Sequence, residues 1–327
     1  MMRGLGRWLV RLASALMLVV AGLILFGPYE EVPRPTPFDH ARLSGGVTAH
    51  ITAREAQARN LRRGNEMRVE WYGLEDVPTD LAIVYIHGFS ASSEEIRPVP
   101  DLVAEGLKAN LVFTRLSGHG RDGAAMEEPR AGDWLADTAE ALAIGRAVGH
   151  EVIVIATSTG GTLAAVAATE PELMRDVKGI VFVSPNFGIN SPAARLLTWP
   201  AARLWLPLVA GGTRSFEPLN PLQEQNWTTR YPIRALLPMA ALVKYARGLD
   251  YGAVRLPALF YYSPEDAVVD ARATDRLRAR WGGPVTHAAP DLGEGVDPSA
   301  HVIAGDIVSP ANTGAAAELI LEWARGL

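Results

Sequence analysis

The 327-residue sequence contains no cysteine. That absence excludes disulfides, thiolate zinc sites, iron–sulfur clusters and a cysteine nucleophile together, so covalent catalysis would have to run through oxygen or nitrogen. A basic excess is also missing: 31 Lys and Arg stand against 36 Asp and Glu, a formal net charge of −5. Proteins that neutralise a phosphate backbone carry a surplus of cations, so nucleic acid is not an expected partner. The seven histidines (His40, His50, His87, His119, His150, His287, His301) include no pair at i, i+4 spacing. This removes a helical zinc site of the HExxH kind, and neither a metal nor a cofactor is expected. Apolar residues are not scarce: 48% are hydrophobic and 20% charged, the composition of a folded globular chain. At roughly 150 residues per domain, the length allows two domains or one large α/β domain with an insertion.

One stretch lacks charge altogether. Residues 12–27 (LASALMLVVAGLILFG) carry none, and with residues 8–11 they reach the roughly 20 residues that cross a bilayer core. Arg3, Arg7 and Arg11 precede the run while Glu30 and Glu31 follow it, so the positive-inside rule leaves the N-terminus cytoplasmic and sends the rest across. A cleaved signal peptide and a secreted product form the competing reading, since Val19 and Ala21 satisfy the small-residue rule. Cleavage there would leave a greasy GLILFG on the mature end, which favours an uncleaved anchor over 1–27. The following PYEEVPRPTPF contains Pro28, Pro33, Pro35 and Pro37. It reads as a stiff spacer over 28–40 that detaches the anchor from a globular domain over 41–327.

Within that domain no internal repeat is visible. A short helix is expected around 51–62, and then short apolar runs alternate with helix-length patterns. Runs 81–86 (LAIVYI), 111–116 (LVFTRL), 152–156 (VIVIA), 180–184 (IVFVS) and 258–262 (ALFYY) have the continuous apolar character of strands buried on both faces. Residues 67–71 and 285–288 look like further strands. Helical patterns cover 96–107, 133–148, 161–169, 271–281 and 313–325. The alternation implies an α/β fold with a doubly wound, mostly parallel sheet, whose ligands bind at the carboxyl ends of the strands. Residues 186–254 break the rhythm with Trp199, Trp205, Trp227, Phe216, Tyr231 and many prolines. They read as a mainly helical cap over the strand ends.

The run VIVIATSTGG sets Ser158 between a buried strand and a helix opening at Gly160 and Gly161. A nucleophile elbow needs this context, with small residues two before and two after the serine because the turn is so tight. Here those are Ala156 and Gly160, a departure from G-x-S-x-G at its first position. The plain alternative is a serine capping an ordinary strand-to-helix loop. Upstream, His87-Gly88-Phe89 follows the strand LAIVYI where an oxyanion loop belongs, and the backbone N–H groups of Phe89 and Thr159 are candidate oxyanion donors. His87 itself, at the root of the loop, reads as a structural hydrogen-bonding residue. Downstream, Asp266 lies just past the strand ALFYY and is preferred as acid over Glu265 and Asp270, the latter better placed to cap the next helix. His301 in DPSAHVIAGD is the candidate base, because His287 falls inside a strand.

With those motifs in that order, the sequence resembles an α/β-hydrolase of the serine aminopeptidase and monoglyceride-lipase-like group. HGF, RLSGHGRDG, TSTGG, SPEDAVVD and AHVI span about 66–327. RLSGHG has Ser117 where the group often has proline, and His119 stands where the group has a structural loop residue. The resemblance implies acyl transfer by Ser158, His301 and Asp266 through an acyl-enzyme, without a cofactor, and leaves the substrate open. An aromatic cap beside a membrane anchor favours an acyl or lipid-like ester. Peptidase activity is the alternative, disfavoured because the cap offers only Glu217, Glu224 and Asp250 to recognise an amine. A non-catalytic membrane-tethered binding protein is a further alternative.

Overall fold

In the computed structural model, which describes residues 2–327, the strands are β1 (Arg68–Glu70), β2 (Thr79–Ile86), β3 (Asn110–Phe113), β4 (Gly149–Thr157), β5 (Val177–Val183), β6 (Thr213–Ser215), β7 (Arg230–Pro232), β8 (Ala258–Tyr261) and β9 (Val285–Ala288). Met1, the first residue of the expected anchor, lies outside the described residues. The helices are α1 (Met2–Phe26), α2 (Val47–Glu55), α3 (Val99–Leu107), α4 (Ala131–Val148), α5 (Thr159–Ala168), α6 (Ala202–Ala210), α7 (Pro221–Asn226), α8 (Leu236–Gly248), α9 (Ala271–Arg278) and α10 (Thr313–Arg325).

Seven strands form one sheet in the order β1-β3-β2-β4-β5-β8-β9, all parallel except the edge strand β1. Successive residues of a strand point to opposite faces, so a continuous apolar run feeds two cores at once. In β2, Ala82, Val84 and Ile86 pack with Trp134, Leu163 and Met239 on one face. Ile83 and Tyr85 pack with Val103 and Ile320 on the other. α4, α5, α8 and α9 thus cover one side, α3 and α10 the second, giving the doubly wound architecture of an α/β-hydrolase.

The chain leaves β2 for β3 on one side and returns to β4 on the other. This switch point opens a crevice at the carboxyl ends of β2 and β4, where ligands of such sheets bind. His87-Gly88-Phe89 and Ser158 both stand there.

Several boundaries differ from the sequence reading. The helix expected from 96 begins at Val99, because Pro98 biases Arg97 away from helical backbone. The helix expected over 51–62 is α2, beginning at Val47 and ending at Glu55. There Glu55 turns inward to hold Arg54 and Arg115. The cap also carries a two-stranded antiparallel ribbon, β6 with β7, whose three-residue strands are too short to show an apolar alternation. Its last helix, α8, joins the core of the body through Met239, Leu242, Val243 and Ala246.

The proline-rich segment also differs from its expected role as a detached spacer. Glu30 is nearly buried and pairs with Arg203 of α6 and Arg130 beside α4, both at 2.8 Å or less. Arg34 makes a two-pronged contact with Glu170 at 2.7 Å, and Pro35 is buried. Its charges strap it to the body and the cap. Upstream of it, Arg7–Phe26 is 20 residues long with mean hydropathy 2.5, long and apolar enough to cross a membrane, and none of it is buried.

Candidate active site

Ser158 sits in the turn between β4 and α5 with φ 51° and ψ −116°. A side chain with positive φ is strained, and here it lifts the hydroxyl out of the strand end. The turn is tight enough to require glycine two residues on: a Cβ at Gly160 would lie 2.1 Å from the carbonyl oxygen of Ile86. Ala156, at the departing position of the motif, is fully buried and accommodated.

His301 Nε2 lies 3.0 Å from Ser158 Oγ, and His301 Nδ1 lies 2.7 Å from Asp266 Oδ2. The second carboxylate oxygen of Asp266 accepts the backbone N–H groups of Val268 and Val269, each at 2.8 Å. The carboxylate is therefore held by three donors and cannot swing away from the imidazole. Its rivals are elsewhere: Glu265 is exposed, while Asp270 caps α9 through the Arg272 N–H and pairs with Arg276. His287 is exposed on edge strand β9, against the ring of Tyr262.

The loop carrying His301 is organised by Asp297, whose carboxylate accepts the N–H groups of Ser299 and Val302 and the Ser299 hydroxyl. Burial alone pulls the His301 pKa down. The hydrogen bond and charge of Asp266, with Glu95 and Asp297 behind it, outweigh that, and the net shift is upward.

The Phe89 and Thr159 backbone N–H groups find no acceptor among the described residues. Thr159 is the first residue of α5, where the helix dipole favours negative charge. Phe89 follows β2 and Thr159 opens α5, so the site brings a hydroxyl, an imidazole and a carboxylate into one chain of contacts with two unused donors on the adjoining loops.

His87 accepts the Leu116 N–H at Nε2 and, with Nδ1, binds the carbonyl of Gly88. Burial holds it neutral, with a pKa pushed down to about 4. His119 is pushed down to about 3 by burial and by the neighbouring His87. Both hold the loop that presents Phe89, whose ring meets His119, Trp134 and Tyr231 of the cap.

Glu95 is the residue that sequence reasoning missed. It is fully enclosed, accepts the Gly88 N–H at 2.6 Å and takes the Tyr85 hydroxyl at 3.2 Å. A Cβ on Gly88 would lie 2.7 Å from Glu95 and 3.0 Å from Ser158 Cβ, so glycine is what lets the three close on one another. Burial pushes the Glu95 carboxyl up to about 7, against the pull of the Gly88 N–H and of His301. The only hint in the sequence is an acidic pair, Glu94-Glu95, at the end of a loop otherwise made of small residues.

Cap and loops cover the site: Ser158 is 6% exposed and His301 8%. Trp227 is buried over this region, and Thr228 donates its N–H to the Ser90 carbonyl at 2.7 Å, pinning the cap to the Phe89 loop. Trp199 instead is half exposed on the outside. Two surface clefts of about 490 and 590 Å³ lie away from Ser158. No group of His, Asp and Glu among the described residues is arranged to hold a metal.

Fold and site together define an α/β-hydrolase. A family model described as serine aminopeptidase, S33, matches residues 78–288, and the chain belongs to that family. No curated protein sequence matches the chain. Among solved structures, it is similar to one from a study of LipS and LipT, two metagenome-derived lipolytic enzymes, at 20% identity and TM-score 0.66 over 82% of this chain and 100% of the other. It is similar to the monoacylglycerol lipase of Paleococcus ferrophilus at 16% identity and TM-score 0.54, covering 79% and 98%. Similarity to a soluble variant of the Saccharomyces cerevisiae monoglyceride lipase stands at 10% identity and TM-score 0.54, covering 80% and 91%. At these identities the likeness is one of fold.

Proposed function

We propose that the protein is a serine hydrolase of the carboxylesterase and lipase type, acting on acyl or lipid-like esters. The observation that carries the reading is the continuous contact from Asp266 through His301 to Ser158, at 2.7 and 3.0 Å, beside two unused backbone donors. His301 Nε2 takes the proton of Ser158 as its oxygen attacks the ester carbonyl, and Asp266 holds the imidazole in the required tautomer. The Phe89 and Thr159 N–H groups receive the developing oxyanion. Collapse of the tetrahedral adduct expels the alcohol, which takes the proton back from His301. Water then attacks the acyl-enzyme, with His301 again as base, and releases the acid.

The apolar lining of the cap supports an acyl substrate: Trp227 and Tyr231 are buried beside the Phe89 loop. Recognition of a free amine would call for a carboxylate facing the site. Glu217, Glu224 and Asp250 of the cap are all exposed, and Glu95 is engaged with Gly88 and Tyr85.

The same reading takes α1 as an uncleaved membrane anchor, with the N-terminus cytoplasmic and the hydrolase outside. Acyl-ester profiling of the purified protein tests the substrate assignment: strong cleavage of aminoacyl amides with weak cleavage of esters would replace it with the peptidase reading.

A further inference from the structure

The 590 Å³ cleft opens on the cap between the turn Pro192–Thr198, α8 and the first turns of α9. Its charged lining is Arg195, Lys244, Arg247, Arg272, Arg276 and Asp270. Five cations thus share one carboxylate, and that carboxylate is already taken by Arg276 and the Arg272 N–H. The side chains of Arg195, Lys244, Arg247 and Arg272 form no ion pair among the described residues. Two of the like-charge pairs sit at i, i+3 (Lys244, Arg247) and i, i+4 (Arg272, Arg276), spacings at which they repel along a helix. A concave surface of this kind raises the local concentration of anions, and a bound anion would relieve the repulsion.

Its place in the fold identifies the anion's source. Lys244 Nζ stands 5.8 Å from the ring centroid of Tyr29, three residues beyond α1. The Pro28 carbonyl accepts the Ala201 N–H at 2.7 Å, tying the end of α1 to the start of α6. α6 packs inward through Ala202 and Leu206. Its other face leaves Leu204, Leu208 (85% exposed) and Val209 without a partner, with half-exposed Trp199 beside them. The end of an apolar span, an apolar ridge with a tryptophan and a basic cleft therefore adjoin one another. Each matches one layer of a bilayer surface: acyl boundary, headgroup level, phosphate.

We propose that this face of the cap lies on the bilayer, with the cleft binding the phosphate of an anionic lipid headgroup and Leu204, Leu208 and Val209 entering the acyl boundary. The proposal rests on α1 as a membrane anchor and places part of the cap that covers Ser158 in direct contact with lipid.

The lack of native cysteine makes a site-specific test simple. Full-length protein carrying Leu208→Cys, labelled with an environment-sensitive nitrobenzoxadiazole dye, is mixed in detergent with phosphatidylcholine, alone or with phosphatidylglycerol, and reconstituted into vesicles. Asp80→Cys, exposed at the opposite end of the strands, is the control. The Leu208→Cys probe should shift to the blue on reconstitution, further with phosphatidylglycerol, while the Asp80→Cys probe stays unchanged. Neutralising any one of Arg195, Lys244, Arg247 or Arg272 to Gln should weaken the phosphatidylglycerol response roughly fivefold, the effect of one cation beside an anionic surface. A protein that floats with both vesicles but shows equal emission in them overturns the cleft and leaves the anchor standing. Failure to float with either overturns both. Abolition of the response by inorganic phosphate at constant ionic strength would make the cleft a free-anion site and overturn the lipid assignment.

Discussion

Glu95 accepts the backbone N–H of Gly88 at 2.6 Å, one residue before the amide that the proposed mechanism uses for the oxyanion. A buried carboxyl thus sets the course of the Phe89 loop and lies close enough to His301 to raise its pKa. Glu95→Gln keeps an acceptor for Gly88 but removes the charge. The acid limb of kcat/KM, which reports deprotonation of His301, should therefore lie above the ordinary histidine value in wild type and move to lower pH in the variant. An unmoved limb would mean that Glu95 acts on structure alone.

Stability should respond with a defined sign. The Glu95 carboxyl is raised from 4.5 to about 7 in the folded protein. Below the lower value both states are protonated, and between the two the unfolded chain loses a proton that the folded one keeps. Folding stability from this group is therefore lost as pH rises through that window, by on the order of 3 kcal/mol, and Glu95→Gln should escape the loss. Denaturant unfolding at about pH 4 and about pH 8 measures it. Equal pH dependence in both proteins would contradict the buried, titrating carboxyl.

The strap makes a prediction for truncation. Removing 1–26 takes away the apolar span, whose described part Arg7–Phe26 is not buried, and should leave stability and ester hydrolysis intact. Glu30→Ala leaves Arg203 and Arg130 without their shared carboxylate and should cost about 1 to 2 kcal/mol in thermal or denaturant unfolding. An unchanged midpoint in Glu30→Ala would mean the strap is not bound in solution.

Cap aromatics should divide by position. Each methylene added to the acyl chain should improve kcat/KM by up to about 0.8 kcal/mol until the pocket is filled. Trp227→Ala, beside the Phe89 loop, should flatten that dependence. Trp199→Ala, on the outer face, should leave it unchanged toward soluble esters. The reverse ranking would relocate the acyl pocket.

Much of this was legible because apolar runs and tight turns have short-range causes. The strands β2, β4, β5 and β8 announce themselves by burial on both faces, and Ser158, Asp266 and His301 each fall in a loop whose place follows from a neighbouring strand. The capping role of Asp270 was readable because a helix N-cap is a local role. Glu95 was not, since its significance comes from a fold that brings residues 85, 88 and 301 around one carboxyl. Nor was the strap, because prolines signal stiffness, whereas Glu30 meets its partners at Arg130 and Arg203 only across the folded surface. Trp199 and Trp227 look alike as letters and differ only in which side of the cap they face.

Covalent labelling with a fluorophosphonate, followed by peptide mass spectrometry, decides whether Ser158 is the nucleophile. One adduct is expected, on Ser158, lost in Ser158→Ala and strongly slowed in His301→Ala and Asp266→Asn, but not in Asp270→Asn. Ester hydrolysis should fall by on the order of 10⁴-fold in Ser158→Ala. A folded wild-type protein that takes no label, or labels at another residue while Ser158→Ala hydrolyses esters at the wild-type rate, would contradict it.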